Sequence, residues 1–526
     1  MNRNFERQLL RTEGPEGDIP YGLECSPQRH GGTQRVDLEY IEDSVLLCVS
    51  VVLFLSLFVL GDRRYFYRKG RYMARVRVFE ELMLAHDSRA YPCHILLRFV
   101  IAGDVNPELL ARCANEVTAA HPILRAYPER VGRRLVWAIK EKAEASLRLL
   151  DNNEQIFAEP ILLGQYAGWK LFLRPSTQES VLYLAFHHAC VDGIGAFAVA
   201  RELMETYRYL SQNEKKSGRS LASHEHEFRC REPSFRMLLT KARKIAIGLQ
   251  GIRQFLMRIP RPLIDHSPVC DERSSACEIA VLSSHFDSIS TDRLVDLARQ
   301  NHLTLNDVLA THVFIAVQRF SKQQDGEIEH CNTWWRMMVP VSLREPGDQR
   351  ISNCVSTIFL DRTPAQISDP AQLAKSIHDE MLLIKNNQLG YILPLTLWVR
   401  RWLPGGIAKG SRPTKCPTSY VFSNVGRVWT DGAFPDTNSN ATCYSIKAAS
   451  FVPPLAPFIN AAFSATTFDG SLTLALRYDP RFINEMAARQ LLGRLVAAIH
   501  KLTQTGSFSD PPDVDEIAQT RMHVWT

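Results

Sequence analysis

Residues 183–195, YLAFHHACVDGIG, decide the fold of this 526-residue chain. An apolar run leads directly into two adjacent histidines, and Asp192 and Gly193 then precede a segment with helical periodicity. This pattern predicts a buried strand, a sharp turn and a helix. Neighbouring side chains on a strand point to opposite faces. We therefore expect one of His187 and His188 to face a cleft while the other packs.

A histidine at the end of a strand suits general-base chemistry, because its ordinary pKa is about 6.5. A metal site is disfavoured, since adjacent strand positions point apart and no third histidine stands at ligand spacing. A serine-hydrolase site is disfavoured because the chain has no GxSxG sequence. On the dipeptide alone, two packed core histidines are as good an interpretation as one catalytic histidine.

Outside this stretch, the apolar periodicity predicts two α/β halves of similar plan. In the first half we expect strands at 94–103, 134–139 and 180–186, and helices at 106–121 and 195–210. In the second half we expect strands at 281–287, 335–341, 419–423, 461–467 and 471–476, and helices at 290–301, 304–320 and 484–502.

The order of these segments predicts the domain organisation. We expect a disordered tail (1–43), a transmembrane anchor (44–61), a basic juxtamembrane segment (62–78), an N-terminal half (79–265), a linker (266–282), a C-terminal half (283–510) and a tail (511–526).

The anchor, SVLLCVSVVLFLSLFVLG, carries no charge. As a helix it would span about 27 Å, close to the thickness of a bilayer core. The basic residues behind it predict a membrane-associated protein with a cytoplasmic catalytic part. A buried core helix is the alternative.

Composition excludes several classes of protein. With 45% hydrophobic residues the chain is core-forming, which excludes disorder throughout. Its net charge of +6 and the lack of RNP, zinc-finger or basic-helix patterns give no reason to expect a nucleic-acid partner. The twelve cysteines are scattered without a CxxC pair, so we expect mostly buried thiols rather than a metal site or a disulfide framework.

The sequence HHACVDG matches HHxxxDG. It resembles the superfamily of nonribosomal-peptide condensation domains, chloramphenicol-acetyltransferase-like enzymes, alcohol acetyltransferases and bacterial wax ester synthase/diacylglycerol acyltransferases. Further similar segments occur in order: HPILRA (121–126), LNDVLA (305–310), PVSLR (340–344), NCVS (353–356) and FSNVG (422–426). These motifs are closest to those of the wax ester synthase group and the alcohol acetyltransferases. The chain departs from the pattern where Ser352 replaces a glycine, where SNV lacks its proline, and in having no DFGWG.

The resemblance implies two chloramphenicol-acetyltransferase-like α/β sandwich halves that form a V-shaped, tunnelled monomer with an N-terminal apolar helix. It implies direct transfer of an acyl group from acyl-CoA, without a covalent enzyme intermediate or a cofactor. The apolar anchor and the segments 235–259 and 391–403 favour a lipid or long-chain alcohol as acceptor. One alternative is a stand-alone condensation-type enzyme that uses a carrier-protein thioester and an amine or alcohol. Another is a non-catalytic scaffold of the same fold.

The resemblance also implies roles for individual residues. His188 would be the general base, and His187 would pack and orient the motif. Asp192 would be structural and would pair with an arginine, for which Arg125 in HPILRA is the candidate. Gly193 would allow a tight turn into the helix.

Four further residues are candidates for the substrate tunnel: Asn306, Asp307, Ser342 and Asn424. For the first two, a capping role at the start of a helix is an equally good interpretation.

Overall fold

The computed structural model describes residues 65–68, 71–151, 154–155, 160–212, 242–264, 279–325, 333–345, 348, 350–410, 416–429, 445–508 and 522–525. Strands β1 to β16 are, in chain order, Tyr65–Arg68, Arg71–Arg75, His94–Ala102, Ala126–Val131, Arg134–Ile139, Ser146–Leu149, Trp169–Arg174, Glu179–His187, Ala280–Phe286, Trp335–Ser342, Val355–Arg362, Tyr420–Val428, Ser445–Val452, Ala461–Phe468, Ser471–Tyr478 and His523–Val524. Helices α1 to α11 are Val78–His86, Pro107–Ala120, Gly193–Gln212, Ala242–Met257, Ser288–Gln300, Leu305–Asp325, Pro364–Ile367, Pro370–Asn386, Ile392–Trp402, Gly406–Gly410 and Glu485–Thr505. Two 3₁₀ turns, Pro122–Arg125 and Leu389–Tyr391, complete the described elements.

The N-terminal half is built on a five-stranded sheet in the order β13-β3-β8-β7-β6. Strand β8 lies at its centre and pairs antiparallel with β3, so that His187 stands opposite His94. Both faces of β8 are covered, because nearly every residue from Leu182 to His187 is buried. This explains the continuous apolar run before the two histidines.

The C-terminal half is built on a seven-stranded sheet in the order β11-β10-β12-β14-β15-β9-β16. Helices α6 and α11 supply much of its core, through residues such as Phe314, Leu491 and Ile499. The helices expected at 290–301, 304–320 and 484–502 are confirmed as α5, α6 and α11. Two mixed α/β halves are therefore present, as predicted, while the V shape and the tunnel stay predictions.

One strand of the expected C-terminal half belongs to the sheet of the N-terminal half. Strand β13 belongs in sequence to the predicted C-terminal half (283–510), yet it pairs with β3 in the N-terminal sheet. Its residues Ala449 and Phe451 join the core of that sheet. The expected division into 79–265 and 283–510 therefore does not hold for β13, because hydrogen bonding at the edge of a sheet can join strands that are distant in sequence.

The expected basic juxtamembrane segment (62–78) is also corrected by the structure. Strands β1 and β2 belong to a small sheet in the order β1-β2-β5-β4. Met73 and Ala74 of β2 are buried and stand opposite Ala138 and Trp137 of β5. The globular fold therefore begins before residue 79, and part of the basic stretch is a strand.

The predicted tail (511–526) and linker (266–282) differ from the structure as well. Strand β16 pairs with β9, and Trp525 is 3% exposed. Its indole Nε1 donates to Ser283 Oγ at 3.0 Å. Strand β9 already begins at Ala280, inside the expected linker. Trp525 could not be predicted as a core residue, because a single buried aromatic residue forms no periodic pattern in the sequence.

The expected tail 1–43 and anchor 44–61 lie outside the described residues. Within the described part of the chain, no helix is long and apolar enough to cross a membrane. Of the cysteines described, Cys93, Cys113 and Cys190 are buried thiols, whereas Cys354 takes part in a disulfide bond.

Candidate active site

His188 follows directly after the last residue of β8, at the point where the chain turns towards α3. Its backbone N–H donates to the Cys93 carbonyl at 2.8 Å. Its own carbonyl accepts a hydrogen bond from Asn353 Nδ2 at 2.6 Å. The residue is therefore held from both halves, since Cys93 precedes β3 and Asn353 precedes β11. Its side chain is half-buried, and the cleft that it was expected to face stays a prediction.

The ring of His188 is oriented by the turn itself. Nδ1 lies 3.1 Å from the Val191 carbonyl oxygen. A carbonyl can only accept, so Nδ1 carries the proton and Nε2 keeps its lone pair. Burial lowers the pKa of His188 below its ordinary value, although the nearby Asp192 charge and the Val191 carbonyl act in the opposite direction. The result at neutral pH is a neutral imidazole whose Nε2 can take a proton.

Asp192 is buried, and each of its two carboxylate oxygens accepts hydrogen bonds from more than one donor. One oxygen, Oδ1, accepts from the Gly195 N–H at 2.7 Å, which closes the first turn of α3. The other, Oδ2, accepts from the Cys354 N–H at 2.8 Å. Arg344 Nη2 lies 2.8 Å from Oδ1 and 3.0 Å from Oδ2. Asp192 thus joins the start of α3 to the C-terminal half, which agrees with the structural role expected for it.

The predicted partner of Asp192 is wrong: Arg344 takes the place expected for Arg125. The Arg125 guanidinium instead donates through Nη1 to the carbonyls of Lys140 and Glu141, at 2.6 and 3.0 Å. It ties the Pro122–Arg125 turn to the end of β5. The sequence did carry a signal for Arg344, because it is the arginine of the PVSLR segment.

Gly193 is needed for close packing rather than for an unusual backbone angle. A Cβ at this position would lie 2.9 Å from Val425 Cγ1 on β12 of the other half. At Gly195 a Cβ would lie 3.0 Å from the Ser352 carbonyl oxygen. Gly193 is not among the described glycines with positive φ, so it needs no left-handed backbone, and its expected role in a tight turn stays a prediction. Both glycines let the start of α3 approach the C-terminal half.

His187 packs in the interior, as predicted, with 1% of its surface exposed. Its Nδ1 accepts from the Ala189 N–H at 3.1 Å. Its Nε2 lies 3.4 Å from Asp87 Oδ2. His187 and His188 therefore serve different partners, as the strand alternation requires.

Asn306 and Asn424 are brought together, with Nδ2 of Asn424 3.4 Å from Oδ1 of Asn306. Asn424 also accepts from the Gly426 N–H, at an irregularity in the pairing of β12 and β14. Their side chains are half-buried, and their role in a tunnel stays a prediction.

Asp307 is placed differently from Asn306. Its buried Oδ2 accepts from the N–H and hydroxyl of Thr304 and lies 2.8 Å from His378 Nδ1. These contacts begin α6 and fasten it to α8, which favours the capping alternative over a tunnel role. Ser342 is exposed at the end of β10, and its Oγ accepts from the Arg344 N–H at 3.2 Å.

Two residues of the site were not assigned a role from the sequence: Arg344 and Asn353. Both lie in segments that had been recognised, PVSLR and NCVS, so the motifs contained the signal but not the partners. Within the described residues, no group of three or more His, Cys, Asp and Glu side chains could hold a metal ion.

Comparison with solved structures identifies the fold. The chain is similar to TRI3 trichothecene 15-O-acetyltransferase from Fusarium sporotrichioides, with a TM-score of 0.60 and 11% identity over 82% of this chain and 96% of that one. It is also similar to the first condensation domain of the calcium-dependent antibiotic synthetase, solved in complex with a substrate analogue (0.54, 14%, 85% and 97%). A third similar structure is the X-domain from teicoplanin biosynthesis, in complex with OxyB (0.53, 15%, 86% and 98%).

The chain has the condensation-domain fold. This is the fold that the resemblance of HHACVDG implied, while membership of the superfamily and the finer likeness to wax ester synthases stay predictions. No family model matches the chain, and no curated protein sequence matches it. In the condensation-domain fold of this chain, His188 lies where strand β8 meets the other half.

Proposed function

We propose that the protein transfers an acyl group from acyl-CoA to an alcohol, with His188 as the general base. Nε2 takes the hydroxyl proton as the alcohol oxygen attacks the thioester carbonyl carbon. The tetrahedral intermediate then collapses, the C–S bond breaks, and His188 returns the proton to the leaving thiolate. Protons balance over the cycle, and no covalent enzyme intermediate is needed.

The observation that carries this proposal is the orientation of His188. Its Nδ1–H is fixed on the Val191 carbonyl, so that Nε2 is available as a base. Asp192 is occupied by Arg344 and by two backbone N–H groups, and it is therefore not the residue that orients the imidazole. The Val191 carbonyl fixes the tautomer and the orientation of the imidazole, as the aspartate carboxylate does in a Ser-His-Asp triad.

An apolar face of the C-terminal sheet supports an apolar substrate. Phe359 on β11 stands opposite Met338 on β10, so both side chains lie on one face. Met338 packs against a buried cluster that includes Ala90 and Tyr91 of the N-terminal half. This face therefore looks towards the other half, and the Phe255 ring of α4 lies 4.8 Å from the Phe359 ring.

The same face begins beside the catalytic turn. Val355, Thr357 and Phe359 alternate along β11, and each is half-buried. Val355 comes two residues after Asn353, which binds the His188 carbonyl. A partly accessible apolar surface next to the base favours a lipid or long-chain alcohol over a small polar acceptor.

Two other activities are compatible with the fold. A carrier-protein thioester could replace acyl-CoA as donor, as is expected of a condensation-type enzyme acting on an amine or alcohol. A non-catalytic scaffold is the second alternative, and the complex of the similar X-domain with OxyB is a precedent for binding. The half-buried base with a fixed tautomer favours an enzyme, because a scaffold needs no such group.

Residues 44–61 and helix α9 support a proposed membrane association. Within α9, ILPLTLWVRRW, Pro394 alone is fully buried, and Trp402 is 66% exposed. Such a helix, apolar with arginines at one end, suits a membrane interface. In cell fractionation, full-length protein should stay with membranes through an alkaline carbonate wash. Release into the wash would contradict the proposed anchor.

The test of the proposed function is thiol release from acyl-CoAs in the presence of alcohols of increasing chain length. His188→Ala should lower the rate about 10²–10⁴-fold while the protein stays folded. His285→Ala is the control, because His285 is an exposed histidine on β9 outside the site, with Nδ1 3.3 Å from Thr473 Oγ1.

Three results would decide between the alternatives. Turnover only with an acylated carrier protein would favour the condensation-type enzyme. Absence of turnover with either donor would favour the scaffold. His188→Ala activity within a few-fold of the unaltered protein would refute the assigned base.

A further inference from the structure

Asp87 lies directly after α1, where it caps the end of the helix, far in sequence from the catalytic motif. Its two carboxylate oxygens have different partners. Oδ1 accepts from the Cys93 N–H at 2.8 Å. Oδ2 lies 3.4 Å from Nε2 of His187. The side chain is 21% exposed, so both contacts are partly shielded from water.

Cys93 and His187 each accept a hydrogen bond from a backbone N–H group next to the His188 side chain. The Cys93 carbonyl accepts the hydrogen bond from the His188 N–H at 2.8 Å. His187 Nδ1 accepts the hydrogen bond from the Ala189 N–H at 3.1 Å. The Asp87 carboxylate is therefore connected through Cys93 to the His188 N–H, and through His187 to the Ala189 N–H.

The route through His187 depends on a single tautomer. Because the Ala189 N–H donates to Nδ1, the ring proton must sit on Nε2. That N–H is buried with the ring, and a buried donor without an acceptor costs about 1–3 kcal/mol. Asp87 supplies the acceptor. Although burial alone would raise it, the hydrogen bond and charge of His187 hold the pKa of Asp87 below its ordinary value, so it is a carboxylate at neutral pH.

We propose that Asp87 is a positioning residue for His188, acting through His187 and through the backbone of Cys93. The inference rests on the proposed function, since it concerns the placing of the general base. A carboxylate is required because it offers two acceptor oxygens. An asparagine at the same place offers one acceptor and would turn its NH₂ group towards the second donor.

The experiment measures kcat and KM in the thiol-release assay for Asp87→Ala, Asp87→Asn, His187→Ala and the Asp87→Ala/His187→Ala double variant. A displaced base lowers kcat, by about 10²-fold for a shift on the order of 1 Å, while KM changes little. Asp87→Asn should lose less than Asp87→Ala. The double variant should lose less than the product of the two single losses, because both residues act on one turn.

Glu81→Gln is the matched control. Glu81 is an acid on the same helix α1, and it binds Arg401 rather than the catalytic motif. Its kcat should equal that of the unaltered protein. If Glu81→Gln lowered kcat as much as Asp87→Asn, general loosening of α1 would explain the effect and the inference would be overturned.

Two further outcomes separate the inference from the proposed function. If His188→Ala is inactive but Asp87→Ala and Asp87→Asn keep kcat within twofold, only the positioning role fails. If His188→Ala keeps its activity, the proposed base fails and the positioning role fails with it. Thermal unfolding of each variant, with assays well below the lowest midpoint, keeps a folding defect from imitating a loss of kcat.

Discussion

Replacing Asp192 by asparagine should destabilise the protein because it breaks a buried ion pair between the two halves. The side chains of Arg344 and Asp192 are 5% and 4% exposed, so water cannot replace the lost partner. The Cys354 N–H and the Gly195 N–H also depend on the same carboxylate. Asparagine keeps the shape but places an NH₂ group among donors.

The expected loss is about 3–5 kcal/mol in the free energy of unfolding, which is the range for removing one partner of a buried pair. A loss of this size is a large share of the stability of an ordinary domain. Activity should fall together with stability, because Asp192 fastens the turn that carries His188. In contrast, His188→Ala should lower activity with little change in stability.

The assay is a double-mutant cycle measured by denaturant unfolding. Asp192→Asn, Arg344→Met and the double variant should show a coupling energy well above about 0.5 kcal/mol, since the two residues are in direct contact. Arg125→Met provides the matched control. It removes an arginine that binds the Lys140 and Glu141 carbonyls, so its effect should add to that of Asp192→Asn.

Two results would refute this reasoning. Additive effects of Asp192→Asn and Arg344→Met would mean that the ion pair does not connect the halves. Coupling between Asp192 and Arg125 would mean that the partner inferred from the sequence was right and the arrangement described above was not.

Three further predictions concern other parts of the molecule. Burial lowers the pKa of His188, and the neutral form of the proposed base is the active one, so log(kcat/KM) should be level at neutral pH and fall only below the ordinary histidine pKa of about 6.5; a midpoint at or above about 6.5 would contradict this. Trp525→Ala should cost about 3–5 kcal/mol in denaturant unfolding, and Trp525→Phe, which loses mainly the hydrogen bond to Ser283, about 1 kcal/mol; a negligible effect of both would show that the C-terminal strand is not part of the core. Gly193→Ala should cost about 1–3 kcal/mol through the contact with Val425, and Val425→Ala in the same chain should recover part of that loss; equal stability of Gly193→Ala and the unaltered protein would refute the close-packing role.

The local structure around the motif could be predicted because it is encoded by neighbouring residues. The apolar run before His187 predicts β8, and helical periodicity predicts α3 after Asp192. The start of α11 follows from Asn484, whose side chain caps the helix by accepting from the Ala487 N–H. The opposite orientation of the two histidines follows from strand geometry alone. These features need no knowledge of distant parts of the chain.

The partners across the two halves could not be predicted in the same way. Arg344 lies 152 residues from Asp192, and periodicity says nothing about which of several arginines will reach a given carboxylate. The resemblance supplied the expectation of an arginine but pointed to Arg125. Which arginine pairs with Asp192 depends on the position of the end of β10 relative to the start of α3. The packing of the two halves determines that position.

The sequence by itself determined the α/β class, the strand-turn-helix that carries His188, and the residue type of the proposed base. Only the tertiary structure decided that β13 joins the N-terminal sheet, that Trp525 closes against β9, and that Asp87 reaches the catalytic turn through His187. The physical reason is the range of the interactions. Alternation and capping act within a few residues, whereas edge pairing, buried ion pairs and gap filling depend on surfaces that exist only after the two halves have packed together.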